Sequence, residues 1–456
     1  MSDKRVSFWR LSAYASPAYI SGAIMFPTLA ILPAFYAKHA GISLAVIGTL
    51  LVVGRIFDAV TDPVLGYLSD ITKTRLGRRK PWVLGGFILA MVSVYFFYVP
   101  AADVGVAYFT VWFLLIFLAF TMIDIPHRAW GTEISRHYDE RSRISTYVGL
   151  AVQLGSLTFA VIPLVPVFAS QGYNSETLRF IAFFFVGLMP FIALAATVWG
   201  PEGKPVATEK PSIMGLFNSV KGNKPFWFFI AVYIVSGLGN GMFFSLIYLY
   251  SDTYMQLGHR FPYFLVADAM FTFVVIPVWL KIIYRYGKHR SWAVGNAIGS
   301  VVLVGMIFFD PGEASFIPFF VLVGIRAMFV ACYYVVPMAL LGDVIDYDIL
   351  KTGANRSANY FSAMTLTSKL NYALGGGLGF IIIGAFGYTV DGPNSDIANL
   401  GIIFSTLILP AVLLVSASFM LWFFPIDHRR QSIIRRRIES RAQRAERNGK
   451  LLTNHK

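Results

Sequence analysis

Twelve stretches of the chain, each roughly 20 residues or longer and almost free of charge, follow one another with only short polar connections. Such a stretch matches the hydrocarbon thickness of a bilayer, where a helix pairs every backbone N–H and C=O within itself once water is gone. The expected spans, with ends placed to within several residues, are 12–37, 43–69, 81–101, 106–133, 143–169, 177–200, 225–250, 261–284, 291–309, 314–342, 357–387 and 397–424. The fold class is therefore an all-α polytopic membrane protein. A β-barrel would show short segments of alternating polarity, and these do not occur. The chain is 56% hydrophobic and only 14% charged, against about 25% charged for a soluble fold.

The charges that remain are unevenly placed. Of 38 Lys and Arg, only Lys38, Arg179 and Arg260 belong to the odd-to-even connections, and Arg55, Arg128, Lys281, Arg326 and Lys369 lie within spans. The other 30 sit at the N-terminus, at the even-to-odd connections and in the tail. By the positive-inside rule both termini are expected on the cytoplasmic side of the inner membrane. The same rule accounts for the net charge of +14 without a nucleic-acid partner. The polar, basic residues before the first span are followed by an apolar run too long for a removable signal. Cys332 is the single cysteine, so no disulfide forms within the chain.

The chain also repeats. Arg75-Leu76-Gly77-Arg78-Arg79-Lys80-Pro81-Trp82 returns 210 residues later as Arg285-Tyr286-Gly287-Lys288-His289-Arg290-Ser291-Trp292, and the same shift carries Gly131-Thr132-Glu133 near Leu341-Gly342-Asp343. Two six-helix halves in parallel repeat place a substrate between them near the bilayer midplane. The halves are expected at 1–200 and 225–424, joined by a polar cytoplasmic linker, 201–224, and followed by an Arg-rich tail, 425–456. The tail reads as solvated and as reinforcing topology, or as a helix near anionic headgroups.

No enzyme signature stands up. His127, His137, His259 and His289 lack metal-ligand spacing, no phosphate-cradling loop is present, and no cofactor is expected. What remains is charge inside the membrane, which is expensive and marks ion or substrate pathways. Arg55, Asp58 and Asp62 follow one another at three and four residues and so share a helix face. One arginine leaves one of the two carboxylates over, which suits a coupling H⁺ or Na⁺; with Na⁺, Asp58 and Asp62 would be the metal ligands. A buried Arg–Asp pair that only joins helices is the plainer reading. Lys369, in the hydrophilic run Thr365-Leu366-Thr367-Ser368-Lys369, needs a carboxylate, and Asp58 or Asp62 from the other half is the natural partner. Asp124 precedes Ile125-Pro126, where proline frees a carbonyl; it could accept from sugar hydroxyls or pair with Arg128. Trp130 reads either as a stacking platform for a sugar ring or as an interface anchor. Asn240, between Gly239 and Gly241, and Arg326 complete the candidate substrate set. Those glycines permit either tight packing or a gate, and Arg326 and Asp268 have no local partner.

Taken together, Arg55 to Pro63, the loop from Gly66 to Trp82, Asp124-Ile125-Pro126, Asp139-Glu140-Arg141-Ser142-Arg143 and Gly342-Asp343-Val344-Ile345-Asp346-Tyr347 with Lys351-Thr352-Gly353 resemble the glycoside–pentoside–hexuronide:cation symporters. These are the melibiose-carrier group of the major facilitator superfamily, and the resemblance covers about residues 12–425. It implies a twelve-helix alternating-access fold. It also implies that Asp58 and Asp62 bind the coupling cation, with Lys369, Thr365 and Arg55 beside them, and that Asp124 contacts sugar hydroxyls. Three departures fall on the sugar side. The first-helix acid of the melibiose carrier is absent from Tyr14-Ala15-Ser16-Pro17-Ala18; Tyr147 is followed by Val148 rather than arginine; and Arg128 stands where the family has tryptophan. A lost acid and a gained arginine suggest an acidic substrate, such as a uronide or a sulfonated sugar.

The expected function is thus cation-coupled symport of a sugar, glycoside or acidic sugar derivative by a monomer in contact with membrane lipids. The alternatives are a uniporter or a lysolipid-type carrier on the same fold, or a non-transporting sensor.

Overall fold

The computed structural model describes residues 5–135, 138–168, 171–203, 220–354 and 356–453. Twelve helices carry the fold: α1 (Phe8–His39), α2 (Leu44–Ile71), α3 (Lys80–Tyr98), α4 (Val106–Ile134), α5 (Tyr138–Val161), α6 (Ser175–Trp199), α7 (Lys224–Leu249), α8 (Phe261–Tyr286), α9 (Lys288–Gly305), α10 (Phe316–Thr352), α11 (Ser357–Ala385) and α12 (Asp396–Trp422, with a π-turn at Phe404–Ile408). A further helix, α13 (His428–Thr453), forms the tail. No strand occurs among the described residues. Eleven of the twelve are long and apolar enough to cross a membrane. The other, α11, has the length, 29 residues, and is diluted by its polar stretch around Lys369.

Packing follows the repeat. In the first six helices α1 lies on α5 and α6, α3 on α4 and α6, and α2 on α4. In the second six α7 lies on α11 and α12, α9 on α10 and α12, and α8 on α10. Each pair is matched by the pair six helices later, and the contacts between the halves, α1–α7, α2–α11 and α5–α8, obey the same two-fold relation. Even the ion pairs repeat. Arg78 Nη2 lies 2.8 Å from Glu133 Oε1, and Lys288 Nζ lies 2.6 Å from Asp343 Oδ1.

Glycine sets how closely helices approach. A Cβ on Gly22 would sit 2.0 Å from the Val152 carbonyl oxygen and one on Gly155 1.9 Å from that of Tyr19, so α1 and α5 touch backbone to backbone. Gly241 does the same for α7 against the Asn371 backbone of α11, and a Cβ on Gly237 would sit 2.0 Å from the Asn371 side-chain amide nitrogen. This close approach fits the tight-packing reading of the glycines around Asn240.

Two expectations need correction. The span expected to end at 342 continues to Thr352. Asp343 and Asp348 are buried there rather than placed in a loop, because Lys288 neutralises Asp343 and the helix stops only at left-handed Gly353 (φ 74°). The tail is helical and docked rather than simply solvated: Ile434 is buried, and Gln431 Nε2 donates to Asp346 Oδ2 at 2.7 Å. Most of the expected linker, 204–219, lies outside the described residues.

Candidate functional site

A cavity of about 700 Å³ opens among α1, α2, α4, α5 and the middle of α11. Its polar wall is built from i, i+3 and i, i+4 spacings on two helices. On α2, Arg55 Nη1 donates to Asp58 Oδ2 at 2.9 Å, and both side chains are about 8% exposed. The Arg55 guanidinium also lies 5.0 Å from the centre of the Phe117 ring. Thr121 Oγ1, from α4, donates to Asp58 Oδ1 at 3.3 Å. One helical turn further on, Asp62 Oδ2 is paired with Lys369 Nζ of α11, an ion pair that joins the two halves across 307 residues of chain. Asp62 Oδ1 is buried without a partner, as is Arg55 Nε. On α4, Arg128 Nε donates to both carboxylate oxygens of Asp124, at 2.8 and 2.7 Å. The Arg128 side chain is 68% exposed and lines the cavity.

Arg55, Asp58, Asp62, Asp124, Arg128 and Lys369 thus line one cavity. Thr365 is exposed, one turn before Lys369 on the same face of α11 and outside the cavity wall. Three expected substrate residues lie elsewhere. Trp130 is buried edge-to-face on Tyr14, and its Nε1 donates to the Pro201 carbonyl at 2.8 Å; it offers no face to a sugar or to the membrane interface. Asn240 and Arg326 are buried in the second half. Arg326 Nη2 reaches Asn240 Oδ1 at 3.4 Å, and its guanidinium stacks 3.6 Å from the centre of the Phe243 ring, while its Nε is buried without a hydrogen-bond partner.

Tyr14, Thr121, His127 and Arg141 also line the cavity. Tyr14 and His127 clamp one another: their rings stack at 4.4 Å, Tyr14 Oη donates to the His127 carbonyl, and His127 Nε2 lies 2.7 Å from the Tyr14 carbonyl. Thr121 and His127 flank Asp124 by three residues on either side, so the stripe through Asp124 carried the signal for both. Arg141 donates to the Ser135 and Thr132 carbonyls at the end of α4. Among the described residues no cluster of His, Cys, Asp and Glu could hold a metal ion in the manner of a three-ligand site.

The two ends of the bundle differ. At the end opposite the Arg-rich loops, which we call the far end, the halves meet: Lys38 Nζ lies 3.0 Å from Asp252 Oδ2, and Tyr248 Oη donates to the Tyr173 carbonyl at 3.4 Å. At the basic end no ion pair joins the halves among the described residues, and Thr132, Arg141 and Ser145 line the cavity on that side.

Known proteins agree with this architecture. Residues 13–428 match the family model "MFS/sugar transport protein". The chain is 24% identical over 451 residues to the "Uncharacterized symporter YnaJ" of Bacillus subtilis, covering 96% of each chain. It is 24% identical over 417 residues to the "Glucuronide carrier protein homolog" of Escherichia coli, covering 87% of this chain and 88% of that one. The crystal structure of the nucleoside transporter NupG superposes with a TM-score of 0.63 at 12% identity, covering 91% of this chain and 100% of that one, a likeness of fold. The chain belongs to the MFS/sugar transport protein family and is a multi-pass membrane transporter, not an enzyme.

Proposed function

We propose that this protein is a symporter that couples uptake of a sugar, glycoside or acidic sugar derivative to H⁺ or Na⁺ by alternating access. The observation that carries the reading is the Asp62–Lys369 ion pair, which joins the halves beside the cavity while Asp62 Oδ1 stays unpartnered. A cation arriving at Asp58 and Asp62 competes with Lys369 for the same carboxylate. Its binding frees the lysine and loosens the link between halves, and by linkage the substrate raises cation affinity by the factor by which the cation raises substrate affinity. Arg55 and Thr121 hold Asp58 in place, and Thr365 stands one turn from Lys369 on the path to the basic end. Asp124 and Arg128 form the substrate wall: the carboxylate accepts from hydroxyls and the exposed guanidinium receives an anionic group. The name of the glucuronide carrier homolog supports an acidic sugar. We place both termini in the cytoplasm on the charge split of the loops, which makes the present conformation inward-open.

The test is uptake into proteoliposomes of labelled neutral and acidic sugars under an imposed H⁺ or Na⁺ gradient, for wild type and Asp62→Asn. Accumulation driven by one gradient and abolished in the variant is the expected result. Equilibration that ignores both gradients and survives the substitution would make the protein a uniporter. Transport of lysolipid with no sugar uptake would replace the sugar reading.

A further inference from the structure

The tail helix α13 begins six residues after α12 ends at Trp422. Phe419, Trp422 and Phe423 at that end are 68%, 60% and 62% exposed, the aromatic character of a span leaving the bilayer. Asp427 Oδ1 accepts from the Arg430 N–H at 2.7 Å, and Arg430 Nη1 donates to the Pro425 carbonyl at 2.6 Å. These two bonds hold the start of the helix against the turn that follows α12. One face is committed to the protein through buried Ile434, through Gln431 on Asp346, and through Arg441 Nη1 on the Leu350 carbonyl at 2.6 Å.

The other face is not. Arg436 and Arg437 are exposed and make no ion pair among the described residues. Glu439, on the same helix, faces Arg435 at 3.9 Å. Arg436 and Arg437 flank, with Ile433 and Ser440, a shallow recess of about 370 Å³ whose edge toward the docked face is Arg441. Ile433 is 44% exposed, three residues before Arg436 and four before Arg437, so cationic forks and an apolar contact share one surface. Guanidinium forks suit phosphate oxygens, and an isoleucine beside them suits the start of an acyl chain.

We propose that this recess binds the headgroup of an anionic phospholipid, held between α13 and the adjacent leaflet. Lipid rather than free phosphate is favoured because the recess combines phosphate-type donors with an exposed apolar side chain and lies on the first helix after the last span. The proposal does not depend on the substrate, the coupling ion or which leaflet the tail faces.

The test uses the full-length protein in mild detergent, offered equal amounts of phosphatidylglycerol and phosphatidylcholine and read by native mass spectrometry. Arg436→Gln/Arg437→Gln is the variant, because it leaves the docking contacts of Gln431, Ile434 and Arg441 intact. Wild type is expected to retain phosphatidylglycerol in preference, and the variant to lose about thirty-fold in apparent affinity, the product of two basic contacts near a surface. Its melting temperature serves as the control for folding. Equal retention of both lipids, or retention unchanged in the variant, overturns the proposal. Displacement of the bound lipid by inorganic phosphate alone would overturn the lipid assignment in favour of a soluble anion.

Discussion

A lysine ammonium at membrane depth persists only with a carboxylate in reach, and Lys369 takes Asp62 from the opposite half. Asp62→Asn leaves that half-buried ammonium without its carboxylate. A fall in melting temperature, together with loss of gradient-driven accumulation, is therefore expected. Asp62→Asn/Lys369→Gln removes both charges and should recover most of the melting temperature without recovering accumulation. If the double variant concentrates substrate, the pair is structural. Arg128→Ala removes a charge-assisted contact worth about 1.5–3 kcal/mol, so KM for acidic sugars should rise at least about tenfold while neutral sugars change little; an equal loss for both would remove the anion role. The gathering of Arg55, Asp58 and Asp62 on one wall was legible because spacing on a helix fixes which residues share a face. What spacing could not supply was the direction in which a face points. Trp130 turns to a carbonyl 71 residues away and Arg326 to a ring on α7, and neither neighbour is written near them in the sequence.

Helices were more legible than their ends. The apolar runs located all twelve spans, but hydropathy stops where charge begins, whereas α10 continues for ten residues past 342 because its acids find partners on neighbouring helices. Close approach shows the same division. The glycines were visible, yet only packing distinguishes those that serve within a half from those that serve between halves. A Cβ on Gly241 would sit 2.5 Å from the Asn371 carbonyl oxygen, inside the second half. One on Gly48 would sit 2.5 Å from the Gly377 carbonyl oxygen, across the halves. Gly241→Val is therefore expected to lower the melting temperature by disrupting a half, and a melt unchanged from wild type would refute the packing role. The tail helix carries a pH dependence at its start. The Arg430 backbone N–H holds the Asp427 carboxyl below its usual range. The cap is therefore fully in place above the ordinary carboxylate pKa and is lost as pH falls through the depressed value. Hydrogen exchange at the start of α13, taken relative to the intrinsic rate at each pH, should quicken only in that acidic window. Asp427→Ala, a lost cap of about 1 kcal/mol, should make it quick at neutral pH; exchange insensitive to both changes would show that the cap does not hold the helix.

At the scale of the molecule, the first and second sets of six helices touch along α2–α11, α5–α8 and α1–α7 and are held at different places by different interactions. The mid-membrane link is Asp62–Lys369; the far-end link is Lys38–Asp252, whose side chains are 41% and 18% exposed. A pair that wet is worth at most about 1 kcal/mol, enough to shift a two-state balance about fivefold and too little to unfold anything. Lys38→Ala should therefore leave the melting temperature unchanged while moving population from the state open at the basic end toward the state open at the far end. Cys332 is the single native cysteine and is buried, so Cys332→Ala gives a clean background for paired spin labels. Asp103→Cys with Asp391→Cys reports the far end, and Arg75→Cys with Arg285→Cys reports the basic end; all four positions are exposed. The second pair is related by the 210-residue repeat. With Lys38→Ala the far-end distance distribution should gain a longer component and the basic-end distribution a shorter one. The two changes must occur together, because rocking of rigid halves cannot open one end without closing the other. A longer far-end distance with the basic end unmoved would mean that the ion pair only tethers a local turn. Distributions identical to wild type at both ends would leave the far-end closure to the Tyr248–Tyr173 contact and the apolar packing beneath it.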